Sequence, residues 1–159
     1  MDNPPGLEKK DIMMKILALV LFLAFAVAQL RAEPLIVAHR GASDNAPQNT
    51  LPSFKLAWEH GADAIEGDFH LTKDGEIVCV HDESTGGVSD INLIVKSSTL
   101  EELRRLDVGK SFDQEFQGTM IPTFSEVIST IPEGKKIYIE IKCGPEILPK
   151  LFREIETRI

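Results

Sequence analysis

Apolar and polar positions alternate along the chain in patterns that divide it into elements. "LIVAHRG" (Leu35–Gly41) is an apolar run ending in polar residues, which predicts a buried strand leading into a loop. "NTLPSFKLAWEHG" follows and predicts a helix. Asn49 or Thr50 can cap it, Pro52 fits its first turn, and Gly61 ends it. Leu51, Phe54 and Trp58 form its apolar stripe, with Trp58 assigned to the core. His60 falls in the last turn, where it suits the helix dipole better than it suits catalysis. "IEGDFHLTKDGEIVCVHD" (Ile65–Asp82) predicts a strand, a turn and a second strand. Thr99 with Glu102, and Thr123 with Glu126, are capping boxes for two short helices, the first with Leu100, Leu103 and Leu106 on one side. "KIYIEIK" (Lys136–Lys142) predicts another strand. A last helix begins near Pro149 and spaces Leu151, Ile155 and Ile159 by four. Strands alternating with helices argue for a parallel α/β architecture, and no internal repeat is present.

The N-terminal pattern differs. Ile16–Ala28 is an unbroken apolar run, short for a bilayer and suited to the core of a secretory signal. Lys15 precedes it, and Ala26–Val27–Ala28 or Leu30–Arg31–Ala32 offers a small-residue cleavage site. Asp2, Glu8 and Asp11 offset Lys9 and Lys10, so Met13 or Met14 is a candidate true start. The expectation is a signal over residues 1–32 and a mature domain over 33–159, exported to the periplasm or the extracellular medium, with no stable membrane span after cleavage. A short membrane anchor is the alternative. Export permits a disulfide, but strand parity sends Cys79 and Cys143 to different sides of the sheet, which favours two buried thiols.

Composition narrows the function only in outline. The 43% hydrophobic content is globular, and the net charge of -8 argues against a nucleic-acid partner, which would require a basic face.

Strand parity is more informative, because it collects ionisable residues. Asp74–Gly75 is a two-residue hairpin signal, and that turn pairs Lys73 with Glu76, His70 with Cys79 and Asp68 with His81. Glu66 lies one step along the same face as Asp68. Glu140 and Lys142 share a face of the later strand, opposite Ile139 and Ile141. Charges on an inner sheet face are costly unless paired or metal-bound. Three carboxylates with oxygen-only donors suit Mg²⁺ or Ca²⁺ rather than Zn²⁺. A salt-bridge network without metal is the competing reading. His39 ends the first strand and His81 ends the hairpin. Two imidazoles beside a metal suit acid–base work on a phosphate ester, one taking a proton from the attacking oxygen and the other giving one to the leaving oxygen. Arg40 could hold a phosphate oxygen. Either histidine alone is equally well read as structural, as is His70.

Together, "AHRGASDNAPQNTLPSF", "AIEGDFHLTKDGEIVCVHD" and "IYIEIK" resemble the glycerophosphodiester phosphodiesterase family, whose pattern is H-R, then E-x-D, then H-D, then E-x-K. The resemblance runs from about Leu35 to the last residue. It implies a TIM (β/α)8 barrel with its site at the C-terminal rim of the strands. It implies His39 and His81 as the acid–base pair, Glu66, Asp68 and Glu140 as metal ligands, and Arg40 and Lys142 as phosphate contacts. The implied reaction is metal-dependent hydrolysis of a small-molecule glycerophosphodiester to glycerol phosphate and an alcohol; His39 is cast as base and His81 as acid, an order the sequence leaves open. Two features depart from the family. Gln48 stands where the family commonly has glutamate, keeping the shape and losing the charge. Activity is expected to survive this, with a shifted pH profile if that charge tunes His39 or Arg40. The residues from Glu33 to Ile159 are also about half of the roughly 250 that a barrel needs, so three or four of its eight strands are expected. A part-barrel with an open strand edge is expected to oligomerise or to lack its C-terminal half. Phospholipase D-like action on lysophospholipids, and a non-catalytic half-barrel that binds or assembles, are the alternative functions.

Overall fold

The computed structural model describes residues 9–28 and 34–157. It separates into two units, Met1–Pro34 and Leu35–Ile159. In the first, the apolar run lies within one helix, α1 (Lys9–Ala28). No helix among the described residues is long and apolar enough to cross a membrane. The second cleavage site at Leu30–Ala32, the mature start at Glu33, and Ile159 lie outside the described residues.

The second unit is built on strand β2 (Ala64–Leu71). Strand β1 (Val37–His39) runs parallel to it from Val37 opposite Ala64 to His39 opposite Glu66. Strand β3 (Ile77–Cys79) runs antiparallel along the same edge, from Phe69 opposite Cys79 to Leu71 opposite Ile77. The other edge carries β4 (Lys136–Ile141), parallel, with Asp68 opposite Glu140. β1 and β3 therefore share one side of β2 end to end. Gly67 and Asp68 fall in the interval between them, where neither strand supplies a partner residue.

Side chains on β2 alternate in kind. Ile65 and Phe69 are fully buried against helix α2 (Leu51–Glu59), helix α4 (Phe124–Ile128) and helix α5 (Leu148–Glu156), through Phe54, Ala57, Phe124, Val127 and Leu151. Phe69 meets Phe124 edge to face at 5.1 Å. Emptying such a site costs about 3–5 kcal/mol. Gly67 shares this face, where a Cβ would stand 3.2 Å from the Phe69 ring and 3.3 Å from both Phe54 and Cys79 Sγ. Glycine there lets the two phenyl rings close over the strand. The even positions, Glu66, Asp68 and His70, take the opposite face. A second apolar cluster, Val78, Val80, Val95, Leu103, Leu106, Val108 and Ile121, forms beneath the segment that includes helix α3 (Leu100–Arg104).

The helix starts follow the local sequence. Thr50, Thr99 and Thr123 cap α2, α3 and α4 with reciprocal boxes through Ser53, Glu102 and Glu126. His60 is the exposed C-cap of α2. Cys79 and Cys143 are free thiols, the first buried and the second half-buried.

Three expectations fail. Cys79 and Cys143 pack against the same apolar cluster instead of lying on different sides of the sheet, because the hairpin register turns Cys79 to the face that carries Phe69. The hairpin register is one residue away from the predicted one. The loop is Lys73–Asp74–Gly75, with Gly75 at φ 80°, and Thr72 N–H donates to Glu76 O at 2.8 Å. Asp74 is held within this loop by the Thr72 hydroxyl and also accepts from Leu100 N at the start of α3. A three-residue loop ending in a left-handed glycine is the other common use of Asp-Gly. It pairs Phe69 with Cys79 and Leu71 with Ile77 on the apolar face, whereas the predicted register sets His70 opposite Cys79. Asp68 thus lies across from Val80, not His81, and Val80 N–H donates to its carbonyl at 2.9 Å. The first strand is also shorter and more open than predicted, with Leu35, Ile36 and Val37 exposed.

Candidate active site

Three carboxylates converge on the even face of β2. Glu66 and Asp68 come from β2 itself, and the β2–β4 register sets Glu140 beside Asp68. One oxygen from each lies within 4.8 Å of the others. Asp68 is fully buried, Glu66 half-buried and Glu140 exposed. Glu66 Oε2 accepts from the Arg40 backbone N–H at 3.1 Å and lies 3.8 Å from His39 Nε2. Asp68 Oδ2 accepts from Asn49 Nδ2 at 2.8 Å and faces Arg40 Nε at 3.1 Å, without hydrogen-bond alignment in the latter case. Glu66 Oε1 and Asp68 Oδ1 are buried with no hydrogen-bond partner.

Two such orphaned oxygens beside a third carboxylate fit a hard divalent cation, which takes oxygen donors and would satisfy both. The arrangement is able to hold one, with Glu66, Asp68 and Glu140 as its donors.

Electrostatics follow the burial. Burial pushes the Glu66 carboxyl up from the usual range, and the neighbouring Asp68 adds to this. Glu140 is drawn down by its hydrogen bond from Lys142 Nζ at 2.9 Å, which in turn raises the lysine. Lys142 Nζ also stands 3.7 Å from Asp68 Oδ1 and 3.2 Å from His81 Nε2. Burial raises the Cys79 thiol well above its ordinary value, which keeps it a neutral donor.

His81 sits past the end of β3, where the chain leaves the ladder. It reaches the site through that turn and not through strand parity. His70, buried on β2, binds the His81 carbonyl through Nε2 at 3.1 Å and so fixes the turn. His81 Nδ1 lies 2.7 Å from Asp82 Oδ1. With that carboxylate as acceptor the ring proton sits on Nδ1, and Nε2 faces Lys142. His39 stands at the end of β1 with its side chain 66% exposed, open to a ligand. Arg40 turns through a left-handed backbone (φ 58°) and donates from Nη1 to Gln48 Oε1 at 2.8 Å. A cavity of about 380 Å³ opens beside Lys142, with His70, Lys73, Lys96 and Cys143 in its walls.

Every residue singled out for chemistry therefore lies in one neighbourhood. His39 and Glu66 meet at one end, and Asp68, Glu140, Lys142 and His81 at the other. Two participants leave little mark in the sequence. There Asn49 stands out only as a helix cap, and Asp82 only as part of a motif. The Asn49–Thr50 pair carried the available signal, since one cap needs only one of them.

The chain matches the family model described as the glycerophosphoryl diester phosphodiesterase family over residues 39–156. It is 46% identical over 129 residues to a glycerophosphodiester phosphodiesterase of Caldanaerobacter subterraneus subsp. tengcongensis, covering 77% of this chain and 52% of that relative. Among solved structures it resembles an Oleispira antarctica phosphodiesterase in complex with the product sn-glycerol-3-phosphate, with TM-score 0.74, 34% identity, and 77% and 52% of the two chains covered. A glycerophosphodiester phosphodiesterase from Agrobacterium tumefaciens gives TM-score 0.71 and 32% identity, over 78% and 54%. The chain spans about half the length of the curated relatives it matches. The fold is accordingly the N-terminal part of a TIM barrel of this type.

Proposed function

Because the chain belongs to the glycerophosphoryl diester phosphodiesterase family, we propose that it supplies the catalytic groups for hydrolysis of glycerophosphodiesters to glycerol phosphate and an alcohol. The observation that carries this reading is the pair of orphaned buried oxygens, Glu66 Oε1 and Asp68 Oδ1, grouped with Glu140 and flanked by two histidines. The product held by the Oleispira relative is consistent with it. A bound Mg²⁺ or Ca²⁺ would polarise a phosphoryl oxygen and balance the three carboxylates. Lys142 and the Arg40 guanidinium would hold the remaining phosphoryl oxygens. His39, open to solvent, would take the proton of the attacking oxygen, and His81, in the form that carries a proton on Nε2 as well as on Nδ1, would give the Nε2 proton to the leaving alcohol. For the latter, Lys142 must turn from the ring towards the phosphate. The cavity beside Lys142 offers room for the alcohol.

The test is release of glycerol phosphate from glycerophosphocholine. Turnover is expected with divalent cation and to disappear with chelator, and His81→Ala is expected to lower it by about 10²–10⁴-fold. Unchanged turnover in His81→Ala refutes the assignment. Release of choline from lysophosphatidylcholine would favour the phospholipase D-like reading instead. Residues 1–32 are proposed as an export signal on the strength of the Ile16–Ala28 run. N-terminal sequencing of exported protein checks this.

A further inference from the structure

Asn49 precedes a helix that Thr50 already caps, so capping does not explain it. It is nonetheless buried to 3% exposure and holds a left-handed backbone at φ 57°. Its own N–H donates to Arg40 O at 3.0 Å, which fixes where the side chain starts. That side chain enters the interval on β2 between β1 and β3. Asn49 Oδ1 accepts from the Asp68 backbone N–H at 3.2 Å, taking the place of a missing strand partner. The same oxygen accepts from Cys79 Sγ at 3.2 Å. Nδ2 then points at the Asp68 carboxylate and donates to Oδ2 at 2.8 Å. The orientation of the amide is forced. Turned over, it would set its NH₂ against the Asp68 N–H and its oxygen against a carboxylate.

The result is a two-point hold on one residue, backbone and side chain together. With Oδ2 occupied by Asn49 and facing Arg40, Oδ1 is the Asp68 oxygen left without a hydrogen-bond partner, with Lys142 Nζ 3.7 Å away. We infer that Asn49 is a positioning residue for the cation site: it closes the break in the β2 ladder and selects Asp68 Oδ1 as the oxygen offered to a divalent cation. The inference rests on the reading that the three carboxylates hold such a cation. Asparagine suits the post because it tolerates a left-handed backbone and carries donor and acceptor on one planar group.

The experiment compares the 159-residue chain with Asn49→Gly, which keeps the backbone freedom and removes the side chain that carries the amide. Titration calorimetry with MgCl₂ and with CaCl₂ reads affinity without substrate, and amide hydrogen exchange reads the Asp68 N–H. Asn49→Gly is expected to bind cation about 10–100-fold more weakly, as for other groups that orient a metal ligand. Its Asp68 amide is expected to lose protection while neighbouring β2 amides keep theirs. Unchanged cation affinity in a folded Asn49→Gly overturns the inference. Should that variant not fold, Asn49→Ser removes the amide donor to Asp68 Oδ2 without adding a charge. Weaker cation binding is then expected, and equal or tighter binding overturns the inference. A parent chain that binds neither cation refutes the cation reading, and this inference with it, before any substitution is made.

Discussion

Without cation, the trio of carboxylates should weaken the fold, and Glu66→Gln measures by how much. One oxygen of Glu66 and one of Asp68 lie within 4.8 Å, both on side chains with little exposure. At an effective dielectric of about 20, two unit charges at that separation repel by roughly 3 kcal/mol. Arg40 and Lys142 offset much of this, leaving on the order of 1 kcal/mol. Glutamine removes the charge and still accepts from the Arg40 N–H. For a unit of this size the gain corresponds to a rise in Tm of about 4 °C. The pH dependence has a definite sign. Burial raises the Glu66 carboxyl in the folded chain. The stability it allows is full below the unfolded pKa and is lost as pH rises through the folded one. The advantage of Glu66→Gln should therefore be largest at neutral pH and vanish on acidification. Saturating Mg²⁺ or Ca²⁺ should invert the order, because the parent gains about 2.7 kcal/mol at a hundredfold excess over Kd and the variant has lost a ligand. Differential scanning calorimetry at several pH values, with chelator and with cation, makes the comparison. A cation-free Glu66→Gln that melts below the parent at neutral pH, or a gap that does not narrow in acid, would refute the reasoning.

Gln48→Glu places a carboxylate against Arg40 Nη1 and competes with Asp68 for the guanidinium. The expected outcome is weaker binding of sn-glycerol 3-phosphate in the presence of cation, by about tenfold if 1.4 kcal/mol is lost, read by calorimetry. Thr123→Ala removes the reciprocal cap of α4, whose Phe124 and Val127 are core residues, and should cost about 1 kcal/mol. Thermal melting checks it, and an unchanged midpoint would mean that α4 is held by packing alone.

What the sequence disclosed depended on how local the cause was. The helix starts at Thr99 and Thr123 were legible because a threonine and its partner three residues on contain the whole interaction, whereas the first helix left Asn49 and Thr50 both open as its cap. The shared face of Glu140 and Lys142 was legible for a similar reason, since period two on one strand needs no knowledge of its neighbours. The hairpin was not, because Asp-Gly serves two-residue and three-residue loops alike, and Phe69 against Cys79 decides between them only once both faces are known. His81 was still placed in the site, though for the wrong reason. The fixing bond comes from His70, eleven residues away. Asn49 was hidden because its partner Asp68 stands on another element, and a break between two strands leaves no mark in the sequence of either. Leu35–Val37 looked buried from hydropathy alone, yet hydropathy does not report which faces have partners.

The alternation along β2 has a consequence for how this segment can drift. At Ile65, Gly67 and Phe69 the packed rings police volume, so a change of a single methyl group is felt while charge never arises as an option. At Glu66 and Asp68 the neighbours police charge and reach. Adjacent residues thus answer to unrelated filters. A substitution tolerated at one position predicts nothing about the next, although it does predict the position two further along. Chemistry and packing can then be revised separately within one short strand.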